Sequence, residues 1–374
     1  MQSIDESEEM RYSYLRITQD RRNWMQKKEG IRKESREGRI RTILLLGILF
    51  VVCFLGSFLL GRYAVSPKEL GGILLSRLIS IEPFWSSAAE RVVFNIRLPR
   101  VLSAALIGAG LSAAGLCYQG LFQNPMVSPD VLGASAGAGF GAALGILLGF
   151  SYFNISAFSF VCGLGAVLLV QLVASQVKSS PMIGLVLGGI MISSLFSSGI
   201  SFIKLVADPN DTLPEITYWL MGSLSAIRMQ DLLFAVIPIG IGCFILLLLR
   251  WRLNILTLGE EEARSIGVNT RILRYVVILC ATLITAACVS ISGMIGWVGL
   301  VIPHFARMMV GYDYRATLPV SLLLGASFMT LVDNLSRTLT TAEIPLGILT
   351  SFVGAPFFLY LLLKVSNSVF CFCN

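Results

Sequence analysis

Residues 257–269 read Thr-Leu-Gly-Glu-Glu-Glu-Ala-Arg-Ser-Ile-Gly-Val-Asn, a charged stretch bounded by glycines. On its amino-terminal side, residues 232–249 carry no charge, and on its carboxyl-terminal side neither do residues 275–306. About 20 apolar residues cross the roughly 30 Å of hydrocarbon in a bilayer. The stretch is therefore a short polar element held between membrane spans, where it must meet something other than lipid. Glu260 and Glu261 fall in a first helical turn, Arg264 follows Glu260 by four, and Gly267 suits a helix stop. An ordinary solvated connector would carry similar charges.

Working outward, residues 42–61, 183–203 and 344–363 are further uncharged runs of spanning length. Residues 101–129 read as one span with a polar tail of Gln119, Gln123, Asn124 and Pro125. The uncharged stretch 131–177 is too long for one helix and divides into 131–149 and 156–177, with Ser151, Asn154 and Ser156 in the turn. Residues 275–306 also divide, at Gly293, Gly296 and Gly299, and 316–332 supplies the last, slightly short span. The expectation is an all-α polytopic membrane protein of ten transmembrane helices, occupying 42–364. Residues 1–41 form a charged amino-terminal extension and 365–374 a tail. A hydrophobic content of 55%, a charged content of only 14% and a mean hydropathy of +0.77 agree.

Lysine and arginine placement sets the expected orientation. With both termini cytoplasmic, 20 of the 29 basic residues face the cytoplasm, 11 of them before residue 42. Six of the outer ones lie between Arg62 and Arg100. Residues 1–41 mix those eleven basic residues with eight acidic ones and no aromatic platform follows, so nucleic acid is not an expected partner. The extension also lacks the form of a cleaved signal peptide.

Six of the eight cysteines fall inside spans, where a thiol is a small apolar group, and no disulfide or metal spacing stands out. Gly133, Gly137, Gly141, Gly145 and Gly149 recur at every fourth residue of the third span. Such a face lets another backbone approach closely, and helix packing explains it more simply than contact with cargo along a path. The outer segments 63–97 and 206–230 read as partly interfacial, the second with turn signals at Asp208-Pro209-Asn210-Asp211 and a short helix near Trp219.

Catalysis finds little support. His304 is the one histidine, and a lone histidine is more often packed than catalytic. Asp333, near the outer end of the ninth span, is a functional candidate by its place in the membrane, with Arg337 one turn on as the simpler explanation. No extramembrane piece exceeds about 40 residues and no Gly-x-x-x-x-Gly-Lys-Ser/Thr motif occurs, so ATP hydrolysis, with its Mg and nucleotide, would belong to a separate subunit. An ion-coupled carrier would need midplane charge that the spans lack.

Several motifs together resemble one family. Arg97-Leu98-Pro99-Arg100, Tyr118 through Pro125, and Leu132-Gly133 through Gly139 come first. Leu258 to Gly267, Gly293 to His304, Glu343-Ile344-Pro345-Leu346-Gly347 and Gly354 to Phe358 follow in order. The chain is similar to FecCD-type (BtuC-like) permeases, the membrane subunits of ABC importers for iron–siderophores, haem and cobalamin. The resemblance implies a BtuC-like permease fold, with no cofactor in this chain. It implies a bacterial or archaeal plasma-membrane location and a homodimer or close heterodimer with a second permease copy. Two ATP-binding cassette subunits and an extracytoplasmic substrate-binding protein complete the implied assembly. It makes 259–268 the ATPase-coupling helix, through Gly259, Glu260, Glu261, Ala263, Arg264 and Gly267. Arg97, Arg100 and Arg337 would dock the binding protein, with anchoring of a helix end at headgroups the lesser reading for Arg97 and Arg100. A cytoplasmic gate is implied near Lys178–Gly184. Iron(III)–siderophore is the leading expected cargo, with haem and cobalamin as alternatives.

Overall fold

Hydrocarbon offers no hydrogen bonds, so each crossing must satisfy its own backbone, and helices do so. The computed structural model describes residues 37–370 except 78, 80, 81, 178–180 and 258. The expected gate therefore lies partly outside the described residues, as does the end of the tail. The chain forms two units, Met1–Leu45 and Leu46–Asn374. Among the described residues seven helices are long and apolar enough to cross a membrane: α1 (Glu37–Ser57), α3 (Ser87–Leu121), α5 (Tyr152–Gln176), α6 (Pro181–Val206), α8 (Met229–Leu256), α10 (Thr270–Ser292) and α12 (Tyr314–Thr338). Two shorter apolar helices, α4 (Ala134–Leu147) and α11 (Val298–Val310), and α13 (Leu346–Phe370), apolar over Leu346–Tyr360, complete ten among the described residues. Between them lie short α2 (Pro67–Leu75), α7 (Thr212–Leu220) and α9 (Glu260–Ser265).

Boundaries shift for identifiable reasons. The second span starts well before residue 101, because Ser86 caps Ala89 N and the chain runs on through a π-helical stretch, Val92–Arg97, into Leu98. Gly133 and Gly149 are not on the face of α4. Their φ values of +76° and +69° place them just before and after it, where L side chains are disfavoured. The last helix runs through Phe370, past the expected boundary at 364.

α3 is the axis of the bundle, with nearly every residue from Pro99 to Leu121 buried. Its small residues bring backbones together. A Cβ on Gly108 would lie 2.1 Å from the Gly325 carbonyl oxygen of α12, and one on Gly115 only 1.8 Å from that of Gly299 in α11. The face of α4 works the same way against α5: a Cβ on Gly137 would sit 2.5 Å from that of Ala166, and one on Gly141 2.7 Å from that of Cys162. Outward-facing Leu187, Leu195, Phe202 and Leu248 are exposed, as lipid contact requires. α2 packs Leu70 and Ile73 on Trp85, Val93 and Phe58, held by a capping box between Ser66 and Glu69.

Candidate functional site

Three places carry the polar and open features of the bundle. At one end the loop after α8 leads into α9. Gly259 caps it at φ +128°, and Gly267 follows it at φ +85°. Gly267 N donates to Arg264 O at 2.9 Å and Val268 N to Ala263 O at 3.0 Å, a paired closure that stops the helix after six residues. Ala263 is fully buried and pins the helix, while Glu261, Glu262, Arg264 and Ile266 face outward. The helix is shorter than the expected 259–268, because its bounding glycines sit in left-handed or extended turns. Asn269 then caps α10 through Ile272 N at 3.1 Å, and Arg264 Nε donates to Thr270 Oγ1 at 3.3 Å.

The same end is tied together by Asn254, Asp313 and Arg307, which the sequence reading did not single out, and by Gln119 and Gln123 of the polar tail. Asn254 Nδ2 donates to Asp313 Oδ1 at 2.7 Å and Gln123 Nε2 to Leu256 O at 3.3 Å. Gln119 Nε2 reaches the carbonyls of Val127 and Leu300, each at 3.2 Å, and Arg307 donates to Gln119 Oε1. In the turn before α4, Asp130 accepts from Ser135 Oγ, and burial pushes its carboxyl above the usual range.

At the opposite end, Arg97, Arg100 and Arg337 come together with Asp333 and Glu343. Arg100 Nε meets Asp333 Oδ1 at 2.8 Å, Arg100 Nη1 meets Glu343 Oε2 at 2.9 Å, and Arg337 Nε meets Asp333 Oδ2 at 3.2 Å. Arg337 also donates to the carbonyls of Ser57 and Leu60, and Arg97 to those of Phe58 and Tyr63. Asn334 Nδ2 closes the set on Ser57 Oγ at 2.7 Å. The three arginines are only 3%, 4% and 7% exposed. Each guanidinium is spent on a partner within the chain, because three charges at this depth need compensation. Glu343 is the exposed member, its side chain 24% accessible.

The third place is a cleft of about 680 Å³ between the end of α7, the break before α11 and the start of α13. Gly293 makes it possible: with φ +72°, a Cβ there would lie 2.1 Å from Trp219 O. Ser223 N donates to Ser292 O and Leu346 N to Gly222 O, both at 2.8 Å, fixing three chain ends around the opening. Leu220, Met221, Met294, Phe352 and Pro356 give it apolar walls, with Ser351 as a polar point. His304 lies outside it, against Phe357 at 6.4 Å between ring centres.

A ten-helix bundle with a short helix displayed at one end and a cleft between broken helices is the form of a transport permease. The chain belongs to the FecCD transport family, whose model matches residues 49–364. The molybdate import system permease protein MolB of Haemophilus influenzae is 40% identical over 322 residues, covering 86% of this chain and 95% of MolB. The hemin transport system permease protein HmuU of Yersinia pestis is 36% identical over 340 residues, 87% of this chain and 97% of HmuU. A solved structure described as a metal-chelate type ABC transporter, in an inward-facing conformation, superposes with a TM-score of 0.76. It is 38% identical, covering 87% of this chain and 99% of that one. The chain is thus a membrane-spanning permease component of an ABC importer.

Proposed function

We propose that the chain carries an iron(III) chelate inward, as one of two permease copies driven by two separate ATP-binding subunits and fed by an extracytoplasmic binding protein. The observation that carries this cargo is the cleft beside Gly293. Its apolar walls, interrupted by a hydroxyl, suit a large amphipathic chelate, whereas a bare oxyanion gains nothing from leucine and phenylalanine. Haem and cobalamin share that amphipathic character and are the neighbouring alternatives. A second reading, molybdate, is favoured by the name of the 40% identical relative.

In this reading both termini are cytoplasmic and α9 is the coupling helix, seated on the ATPase through Glu260, Glu261 and the exposed Ile266, with Gly259, Ala263, Arg264 and Gly267 setting its pose. Its exposure and its pinning through Ala263 support that role. The binding protein docks over the arginine end. Because Arg97, Arg100 and Arg337 are internally paired, its acidic groups enter at Arg100 by exchanging with Glu343, whose side chain is 24% accessible.

The test is uptake into vesicles holding this chain with its ATP-binding subunit and binding protein. ATP-dependent accumulation of an iron chelate, uncontested by molybdate, is the expected result. Molybdate uptake in its place would overturn the cargo, and uptake without the ATP-binding subunit would overturn the whole assembly.

A further inference from the structure

A pocket of about 210 Å³ lies at the end of the bundle away from α9, where α4 ends, α5 and α8 begin and α10 finishes. The transport reading makes no use of it. Glu215, Tyr218 and Trp219, three and four residues apart on one face of α7, line it, and Tyr152 joins them from the start of α5. Ile146, Ile155 and Ile291, at most 7% exposed, supply its apolar part. The hydroxyls of Ser223 and Ser225 already bond to each other at 2.9 Å, and Ser292 Oγ is spent on Cys288 O. Among the described lining residues Glu215 alone carries a charge. Among the described residues nothing pairs with its exposed carboxylate, and neither tyrosine hydroxyl is engaged. Asp231 and Arg228, the further charges felt at Tyr152, are opposite in sign and adjacent, Arg228 N donating to Asp231 Oδ2 at 2.9 Å. The pocket therefore keeps the charge of Glu215.

We propose that this pocket binds an organic cation, a guanidinium or alkylammonium group, with Glu215 as its counter-ion and the rings of Tyr152, Tyr218 and Trp219 around it. A cation held between a carboxylate and aromatic rings gains a charge-assisted hydrogen bond and the attraction of the ring quadrupoles together. An anion would meet the glutamate. A bare calcium or magnesium ion wants about six oxygens and has no use for an indole. A neutral group gains nothing from the carboxylate's charge. The volume is below the roughly 300–1,000 Å³ of sites for drug-sized ligands, and it admits a group the size of one side chain. The pocket also bears on the cleft beside Gly293. Trp219 lines the pocket, while the next residue, Leu220, lines the cleft. A bound cation therefore braces the end of α7 that walls the cleft, whatever cargo the protein carries.

The test titrates the full chain in neutral detergent with butylguanidinium, with the shape-matched but uncharged butylurea, and with potassium at equal ionic strength. Tryptophan fluorescence is the readout, and its absence from Trp219→Phe assigns the signal to the pocket. The expected result is a saturable change for butylguanidinium at concentrations about tenfold lower than butylurea needs, and none for potassium. Glu215→Gln should erase the difference between the two probes while unfolding at the parent's temperature, since the side chain is exposed. Glu215→Asp, which keeps the charge, should restore part of it. Equal responses to butylguanidinium and butylurea would overturn the proposal. So would a potassium response matching that of butylguanidinium, or a preference that survives in Glu215→Gln. Adding the extracytoplasmic binding protein then separates two sources of the cation. Displacement of butylguanidinium assigns the pocket to a lysine or arginine of that partner, and retention leaves a free organic cation as the occupant.

Discussion

The two ends of this bundle use charge in opposite ways. At the arginine end, charges of both signs are drawn inward, and Asp333, 1% exposed, sits between Arg100 and Arg337. At the other end α9 turns Glu261, Glu262 and Ile266 outward and buries Ala263. Charge buried in pairs fixes helices against one another, since removing one partner leaves the other stranded. Charge displayed on a short helix stabilises its own chain little and is free to meet another. One end is therefore a clamp, and the other is the contact surface of the proposed function.

The sharpest way to break this contrast is Asp333→Ala. It leaves Arg100 with Glu343 alone and takes from Arg337 its carboxylate partner, and stability should fall by about 3 kcal/mol, read as a drop in unfolding temperature in detergent. An unchanged temperature would mean the cluster clamps nothing. Next in size is Gly115→Ala at the bundle axis. The added methyl meets the Gly299 carbonyl, which belongs to a backbone and cannot swing aside. A loss of about 1–3 kcal/mol is expected, and a full-strength variant would show that α3 and α11 are less closely packed than described.

How much of this was legible in the sequence depends on distance along the chain. Runs such as 183–203 announce spans because a helix in lipid needs only its own residues to be apolar. The short helix at 260–265 was visible because glycines and charges stood together locally. The pairing of Asp333 with Arg337 was readable for the same reason, one turn apart. Arg100 with Glu343 was not: 243 residues separate them, and nothing local to Arg97-Leu98-Pro99-Arg100 says whether its guanidiniums face water or a carboxylate. The four-residue glycine rhythm does not carry the face of α4 through Gly133 and Gly149, where the same residue type serves a positive φ beyond the helix ends. Closure of the cleft by Gly222 and Gly293 likewise joins residues whose neighbours in sequence give no sign of the other.

A smaller effect separates conformation from contact. Gly267 sits at φ +85° with nothing within 4 Å of where a Cβ would stand. Gly267→Ala should therefore cost about 1–2 kcal/mol through backbone strain alone, measured as weakened hydrogen-exchange protection of residues 260–268 while the spans keep theirs. Loss of protection throughout the bundle would show that α9 belongs to the core and would dissolve the contrast between the ends.

The smallest stability effect belongs to Ile266→Ser, and it probes the contact surface most directly. Ile266 is 57% exposed and follows the last residue of α9, so this chain draws little on its side chain. Surface changes of this kind stay within about 0.5 kcal/mol, and the unfolding temperature should not move. An apolar side chain displayed among glutamates is nevertheless what a partner's groove would bury, and truncating such an anchor costs about 1–2 kcal/mol of binding. ATP-driven uptake in vesicles should thus fall by about tenfold while the permease remains folded. Equal uptake would leave α9 a solvated connector and return the charges of 257–269 to ordinary surface chemistry.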